Sequence, residues 1–359
     1  MKTIRIPAFL LAALMLLALL SGCGKQDGAQ PAGEKPSGLF YEASGIDPKS
    51  TIAAVNGREI SAEEYLYWLA YHCESILADR GGSVKWDEVI SDDITYGEYA
   101  RRSALATVIQ FSVARDFSEK YHVGLTDADR AQLQKKKEDD VLRCGGREGY
   151  LRYLERIGVS EETYDRIDEN YALTNRLVEA AGVEGSDLYP SQETLDNFMK
   201  GKDYATVRLI VLSVAGMSDE EKAEQRDMLA QCARQIREAE DPAAKLAEIA
   251  RSLGLSDGDR DQTLASNAMD ITLMQAVREL ETGEVSDVVE TNGAMCVALR
   301  RPLDKSAIAR ECFSAYLVQA RQNAKVEISD SYKNLNVGTF YTSLEELRKT
   351  MFDDDVVKQ

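Results

Sequence analysis

Residues 276–300 read AVRELETGEVSDVVETNGAMCVALR, and this stretch decides the fold that we predict for the second half of the chain. It begins inside a helix predicted over residues 271–280 and continues into two strands, predicted over residues 284–290 and 294–300. Since these two strands follow each other directly, we expect them to pair antiparallel at the end of a compact domain. Met295 lies near the start of the last strand.

The segment before this stretch supplies the rest of the same domain. Residues 204–214, YATVRLIVLSV, are rich in β-branched side chains and predict a strand. Ser218 with Glu221 predicts a capped helix, and Asp241 followed by Pro242 predicts the start of a second helix. The resulting order, β-α-α-α-β-β, is typical of an α+β domain.

The first half of the chain is predicted to be helical. Residues 51–60 form two short extended runs about Asn56 and Gly57, a dipeptide favoured in tight hairpins. Ser61 and Glu64 then form a capping box that opens a helix. Apolar residues that recur every three or four positions predict further helices over residues 96–121, 126–142, 148–157 and 160–181.

The start of the chain has the features of an export signal. Lys2 and Arg5 precede an apolar run over residues 7–20, which is short for a membrane-spanning helix. The residues before Cys23 are small, and the sequence Leu-Ser-Gly-Cys resembles the bacterial lipobox, in which the cysteine is lipidated after cleavage. This indicates a protein anchored by lipid to the bacterial cell membrane and facing its extracytoplasmic side; an ordinary secretory signal with a chance cysteine is the alternative.

Charge and cysteine content exclude several classes of protein. A formal net charge of −18 argues against nucleic-acid binding and against electrostatic adhesion to anionic lipid. The cysteines beyond Cys23 are odd in number and form no CxxC motif, which argues against a disulfide framework or a zinc site. Most of them are predicted to be buried thiols, with one disulfide left open; the five are Cys73, Cys144, Cys232, Cys296 and Cys312. No cofactor is indicated.

Three stretches together resemble the SurA/PrsA-type foldases, exported proteins with a helical chaperone domain around a parvulin-type prolyl isomerase domain. They are IAAVNGREISAEEYLYW at residues 52–68, YLRYLERIGVSEETYDRIDENYALTNRLV at residues 150–178, and the opening stretch. The resemblance covers roughly residues 51–335 and implies an α+β fold with an inserted parvulin-like domain. The implied boundaries are a signal peptide at 1–22, a flexible linker at 23–50, a helical chaperone domain at 51–200, a parvulin-like domain at 203–302, a C-terminal helix packing on the chaperone domain at 304–335, and a tail at 336–359.

The family's catalytic positions are altered in this chain. A parvulin groove places polar groups beside an X-Pro amide, whose rotation has a barrier of about 20 kcal/mol. The family has a histidine on the first strand and one on the last, and these positions match Arg208 and Met295. The only histidines of the chain, His72 and His122, lie in the helical half. The resemblance therefore implies an isomerase family member whose polar network is lost, and the sequence leaves open whether any isomerase activity remains.

Other site positions are carried over from the same resemblance. Asp257 matches the family's acidic residue, Thr291 matches a frequent threonine, and Met274 falls at an apolar pocket position, where core packing is the alternative. Arg208 shares a strand face with apolar residues, so its guanidinium is expected to reach water or a carboxylate. The acidic run Asp257, Asp259 and Asp261 lacks the glycine and glutamate of a calcium loop, so a solvated turn is predicted and no metal site.

Two functions follow from these observations. The first is a membrane-anchored foldase that binds unfolded, newly secreted polypeptides, with weak or absent isomerase activity. The second is a non-catalytic scaffold lipoprotein of the cell envelope that holds one dedicated partner. Aromatic residues at 65–71 suit the first, if they are exposed; Tyr65 and Trp68 are assigned to the core, and Tyr67 or Tyr71 to the surface. Whether the chain forms a homodimer is left open.

Overall fold

The computed structural model describes residues 36–255 and 258–357, with side chains through Met351. The predicted signal peptide, the lipidation residue Cys23 and Asp257 therefore lie outside the described residues. Among the residues that are described, no helix is both long and apolar enough to cross a membrane.

The chain is an α+β protein, which confirms the predicted fold class, and it divides into two compact units. The helical unit consists of residues 36–180 and 314–357, and the inserted unit consists of residues 181–255 and 258–313 between them. In chain order the elements are α1 (Leu39–Ser44), β1 (Thr51–Val55), β2 (Arg58–Ser61), α2 (Ala62–Asp79), β3 (Val89–Ser91), β4 (Ile94–Thr95), α3 (Tyr96–Tyr121), α4 (Asp127–Arg143), α5 (Arg147–Ile157), α6 (Glu161–Ala181), α7 (Gln192–Met199), β5 (Tyr204–Ser213), α8 (Asp219–Arg237), α9 (Pro242–Ser252), β6 (Gln262–Ala265), α10 (Ile271–Arg278), β7 (Val289–Thr291), β8 (Ala294–Arg301), α11 (Lys305–Gln322), β9 (Val326–Ile328), α12 (Asp330–Asn334) and α13 (Val337–Val357).

The core of the helical unit forms around α2. Ser61 caps this helix, since its hydroxyl accepts from the backbone N–H of Glu64 at 3.3 Å. Apolar residues then recur at helical spacing and are fully buried at Tyr65, Leu69 and Cys73. The side chain of Glu64 does not complete the predicted capping box, because it turns into the unit and meets Arg166.

The C-terminal helix predicted over residues 304–335 is interrupted. Helix α11 ends at Gln322, and β9 follows and pairs antiparallel with β1, giving a sheet of order β2-β1-β9. The reason lies in the Asn56 turn: its backbone N–H donates to the carbonyl of Lys325, and its side-chain oxygen accepts from the N–H of Lys325. These two bonds fix the start of β9 beside β1. In an extended conformation, β9 can pair its backbone N–H and C=O groups with those of β1, which a helix could not do.

The predicted tail over residues 336–359 contains the long helix α13. Asn336 begins it, because its side-chain oxygen accepts from the backbone N–H of Thr339 at 2.9 Å. The helix packs against α1 and α3 and buries Phe340, Tyr341 and Leu344. The sequence predicted only a last short helix here, capped by Thr342 and Glu345, but a segment that buries three large apolar side chains is part of the core.

The end of the predicted flexible linker, residues 23–50, is likewise ordered. Helix α1 buries Leu39 and Phe40 within the helical unit. The ring of Phe40 lies 6.1 Å from that of Phe340 and passes so close to Gly158 that a Cβ there would stand 2.7 Å from it. Gly158 also has a φ of +84°, so glycine is required at this contact for two independent reasons.

The inserted unit is built on a four-stranded antiparallel sheet of order β6-β5-β8-β7. Helices α8 and α9 pack on one face, which we call the α8/α9 face, and α10 packs on the other, the α10 face. The predicted order omitted β6, which is a wrong prediction. The strand predicted over residues 284–290 is shorter in the structure, where β7 covers only Val289–Thr291. At Ser286, the side-chain hydroxyl accepts a hydrogen bond from the backbone N–H of Ala298, in place of a backbone carbonyl.

An ion-pair network joins α4, α5 and α6 at Glu161. Its carboxylate accepts from Arg147 Nη1 at 2.7 Å and from Lys137 Nζ at 2.7 Å. Hydrogen bonds from Arg147 and then Lys137 lower the pKa of Glu161 from its ordinary value of 4.5 to about 2. Because the folded-state pKa is below the unfolded one, this stabilisation is present above about pH 4.5 and is lost as the pH falls through about 2.

We therefore expect Glu161→Gln to reduce the acid sensitivity of the helical unit. Between about pH 4.5 and about pH 2, the free energy of unfolding of the native chain should fall more steeply than that of the variant. Urea unfolding across this window measures both slopes. The control is Glu162→Gln, an exposed neighbour in α6, which should keep the native slope. Equal slopes for all three proteins would contradict the assignment.

Candidate functional site

The two positions that match the family's histidines lie on the same face of the inserted sheet but are not brought together. Arg208 on β5 pairs in register with Leu299, whereas Met295 on β8 pairs with Leu212. Four residues along a strand correspond to about 13 Å. Both positions belong to the α8/α9 face, and the pair Ile210 and Val297 lies between them.

Arg208 is committed to contacts within the unit. Its Nε donates to Asp261 Oδ1 at 2.8 Å, and its Nη1 donates to the carbonyl of Ala243 at 3.1 Å. The other oxygen of Asp261 accepts from Arg301 Nε at 3.1 Å. The prediction that Arg208 reaches water or a carboxylate is confirmed, with Asp261 as its partner. A guanidinium that is 15% exposed and held on two sides anchors the sheet edge and is not aimed at a ligand.

Met295 is fully buried in the core below α8 and α9, together with Ile210 and Leu299. A thioether at this position contributes packing and no hydrogen-bond donor. In this fold the side chain has no access to a bound peptide.

Two other positions of the predicted site, Thr291 and Met274, lie on the opposite face. Thr291 on β7 is half-buried, and its hydroxyl donates to the carbonyl of Ala294 at 3.1 Å. Cys296 lies beneath the same face, where burial raises the pKa of its thiol although a hydrogen bond with Thr291 acts in the other direction. Met274 on α10 is buried, which favours the core-packing alternative. The sheet thus separates Thr291 and Met274 from Arg208 and Met295.

The two histidines have structural surroundings in the helical unit. His72 on α2 is half-buried, its Nε2 lies 3.1 Å from Thr107 Oγ1, and burial lowers its pKa. His122 ends α3 with a φ of +53°, and its backbone N–H donates to the carbonyl of Ser118. Neither residue belongs to the inserted unit.

Neither a metal-binding cluster nor a disulfide occurs among the described residues. No group of three or more histidine, cysteine, aspartate or glutamate side chains there is arranged to hold a metal ion. Both carboxylate oxygens of Asp261 are used by arginines. The five cysteines that the structure describes are free thiols.

The helical unit carries a surface that the sequence indicated only in part. We call it the aromatic cluster, and it consists of Tyr67, Trp68, Tyr71, Phe111 and Tyr171. The Trp68 ring centroid lies 5.1–5.9 Å from those of the other four rings. Tyr71 is 51% exposed and Tyr171 is 48% exposed, while Trp68 and Phe111 are buried behind them.

The prediction for the aromatic run of α2 is confirmed, since Tyr65 and Trp68 are in the core and Tyr71 faces outward. The contributions of Phe111 on α3 and Tyr171 on α6 were not predicted. Only the packing of three helices brings them beside Trp68.

The aromatic cluster is suited to contacts with extended apolar segments. Burial raises the pKa of Tyr67 and of Tyr171, so both phenols stay neutral near pH 7. Two half-exposed rings over a buried tryptophan offer flat apolar area with hydroxyls at the rim, and they are held rigid by edge-to-face packing. Such a surface can accept many different side chains without a pocket of fixed shape.

No family model matches the chain, and no curated protein matches it. Among solved structures, the foldase protein PrsA from Streptococcus pneumoniae is 17% identical, with 72% of this chain and 92% of that chain covered and a TM-score of 0.29. The foldase protein PrsA from Lactococcus lactis is 11% identical, with 82% and 99% covered and a TM-score of 0.34. A Campylobacter jejuni structure, from work describing PEB4 and Cj1289 as SurA-like chaperones, is 11% identical, with 78% and 99% covered and a TM-score of 0.22. The solved structures to which this chain is similar are thus of the PrsA and SurA-like kind that its sequence resembles.

Proposed function

We propose that this chain is an extracytoplasmic chaperone that holds unfolded, newly exported polypeptides and has weak or no prolyl isomerase activity. The observation that carries the proposal is the aromatic cluster, with Tyr71 and Tyr171 each about half exposed on a rigid helical scaffold. Exposed aromatic surface of this kind is typical of interaction sites, because its burial against a client is favourable.

The inserted unit supports the lack of efficient catalysis. Rotation about an X-Pro bond is accelerated by polar groups close to the twisting amide. Arg208 is bound to Asp261, and Met295 is buried in the core, so neither can serve a peptide on the α10 face. The unit then acts as a folded insert that offers, at most, additional binding surface.

The site of action follows from the N-terminal sequence. A lipid on Cys23 would hold the protein where exported chains emerge, and the residues between Cys23 and α1 would serve as the tether. A net charge of −18 keeps complexes with apolar clients soluble through mutual repulsion.

The test is suppression of aggregation by the soluble chain without its signal segment, using several unrelated unfolded proteins. The double variant Tyr71→Ser/Tyr171→Ser removes both exposed rings but keeps hydroxyl groups, and we expect its client affinity to be about tenfold weaker. The matched control is Tyr99→Ser, since Tyr99 on α3 is 50% exposed but lies outside the aromatic cluster.

Each outcome of the aggregation test either supports or contradicts client binding by the aromatic cluster. Loss of suppression in the double variant alone supports the proposal. Equal suppression by all three proteins would remove the aromatic cluster from client binding. A native chain that suppresses no aggregation would favour the dedicated scaffold of the cell envelope.

A further inference from the structure

A polar cavity of about 370 Å³ lies in the helical unit between strand β2 and helices α2, α3 and α6. Three arginines line it, although the protein as a whole is strongly acidic. The lining residues on which the inference rests are Arg58, Glu64, Ser112, Arg115, Arg166 and Asn170.

Arg115 is the unusual member of this set. Its one hydrogen bond among the described residues runs from Nε to Asn170 Oδ1 at 2.7 Å, and it forms no ion pair with any of them. Burial lowers the pKa of its guanidinium; the charge of Glu64 acts against this, those of Arg58 and Arg166 act with it, and that of Glu169 acts against it. A half-buried guanidinium without a carboxylate is unfavourable unless an anion completes its surroundings.

Three nearby carboxylates are already engaged by the other two arginines, and a fourth, Glu169, acts on Arg115 through its charge without a hydrogen bond among the described residues. Glu64 accepts from Arg166 Nε at 3.2 Å, and Arg58 Nη2 donates to Asp116 at 3.3 Å and to Glu119 at 2.8 Å. Glu64 contributes a favourable charge to Arg115, but no hydrogen bond joins the two side chains in the described structure. The other donors of Arg115, Nη1 and Nη2, therefore have no hydrogen-bond partner among the described residues.

Ser112 gives an independent indication of a ligand. It is only 2% exposed and lines the cavity, and its hydroxyl has no hydrogen-bond partner among the described residues. Serine within a helix commonly bonds to the carbonyl four residues earlier, and Ser112 does not. Arg58 Nε is a second buried donor without a described partner on the same lining. Such groups are seldom left unsatisfied unless something else binds them.

We propose that this cavity binds a carboxylate of a polypeptide, with Arg115 as the charged donor and Ser112 as the neutral one. Guanidinium groups bind carboxylates through paired, charge-assisted hydrogen bonds. The choice of a polypeptide as the source of the carboxylate rests on the proposed function. It is supported by Phe111, which belongs both to the cavity lining and to the aromatic cluster, and by Asn170, which precedes Tyr171. A chain lying on the aromatic cluster can thus extend its C-terminal or acidic side-chain carboxylate into the cavity.

Calorimetric titration of the chain without its signal segment tests this inference. The probes are a short peptide of glycine, serine and one tryptophan with a free C-terminal carboxylate, and the same peptide with a C-terminal amide. We expect the native chain to bind the carboxylate form about tenfold more tightly. Arg115→Gln should bind both forms with the affinity of the amide. The control Arg152→Gln changes an exposed arginine of α5 outside the cavity and should keep the native preference.

The arms of the experiment separate this inference from the proposed function. Equal affinity of the native chain for the two peptides overturns the carboxylate site, and this comparison requires no variant to fold. If neither peptide binds, the carboxylate site is overturned, whereas the proposed function is judged separately by the suppression of aggregation of unfolded proteins. If inorganic phosphate binds in an Arg115-dependent manner while the peptide carboxylate gives no advantage, the cavity takes a free anion and the polypeptide source is wrong.

Discussion

Replacing Phe340 by alanine is expected to destabilise the helical unit by about 3–5 kcal/mol. Phe340 is fully buried on α13 and packs against Phe40 of α1, so its removal leaves a cavity between two segments far apart in sequence. For a unit of this size, the loss should lower the midpoint of thermal unfolding by on the order of 10 °C. Circular dichroism of the native and variant chains during heating measures the difference.

The control for this prediction lies on the same helix. Glu346 is exposed, and Glu346→Ala should unfold close to the native temperature, because surface substitutions usually change stability by less than about 0.5 kcal/mol. If Phe340→Ala behaved like this control, α13 would not be docked, and residues 336–359 would be the tail that the sequence predicted.

Replacing Met295 by histidine is expected to destabilise the inserted unit by about 2–3 kcal/mol and to leave prolyl isomerisation unimproved. Met295 is fully buried between Ile210 and Leu299, so an imidazole there would lose its hydration without an evident partner. Chemical unfolding measures the first effect, and a proline-peptide isomerisation assay measures the second.

Val211→His supplies the matched control for this substitution. Val211 lies on β5, faces the opposite side of the sheet and is exposed, so a histidine at this position stays hydrated. The control should unfold like the native chain. Faster isomerisation by Met295→His than by Val211→His would show that position 295 borders a working site and would overturn our account of the inserted unit.

Local sequence signals predicted most of the elements. Ser218 with Glu221 and Asp241 with Pro242 open helices where expected, because a cap needs only neighbours within one turn. Strands β6 and β9 were missed for the opposite reason. Each is three or four residues long and is defined by a partner strand distant in sequence, β5 for one and β1 for the other.

The candidate site divides in the same way. The alternation of side chains along a strand predicted that Arg208 shares a face with apolar residues. Because burying an unpaired charge is unfavourable, its guanidinium was expected to reach water or a carboxylate. The choice of Asp261 as the partner of Arg208 depends on the pairing of β5 with β6. The distance between Arg208 and Met295 and the position of Thr291 across the sheet depend on the register of β5, β7 and β8. No periodicity within one strand specifies that register.

By itself, the sequence predicted the α+β class, the capped helices, the absence of histidine from the inserted unit and an outward position for Tyr67 or Tyr71. Only the tertiary structure decided that α13 belongs to the core, that three helices form the aromatic cluster, and that Arg115 lines a cavity without an ion-pair partner among the described residues. The physical reason is the distance along the sequence between the residues that interact. Helix caps and amphipathic periodicity involve residues within a turn or two, whereas burial, ion pairing and strand register depend on which distant segments come into contact.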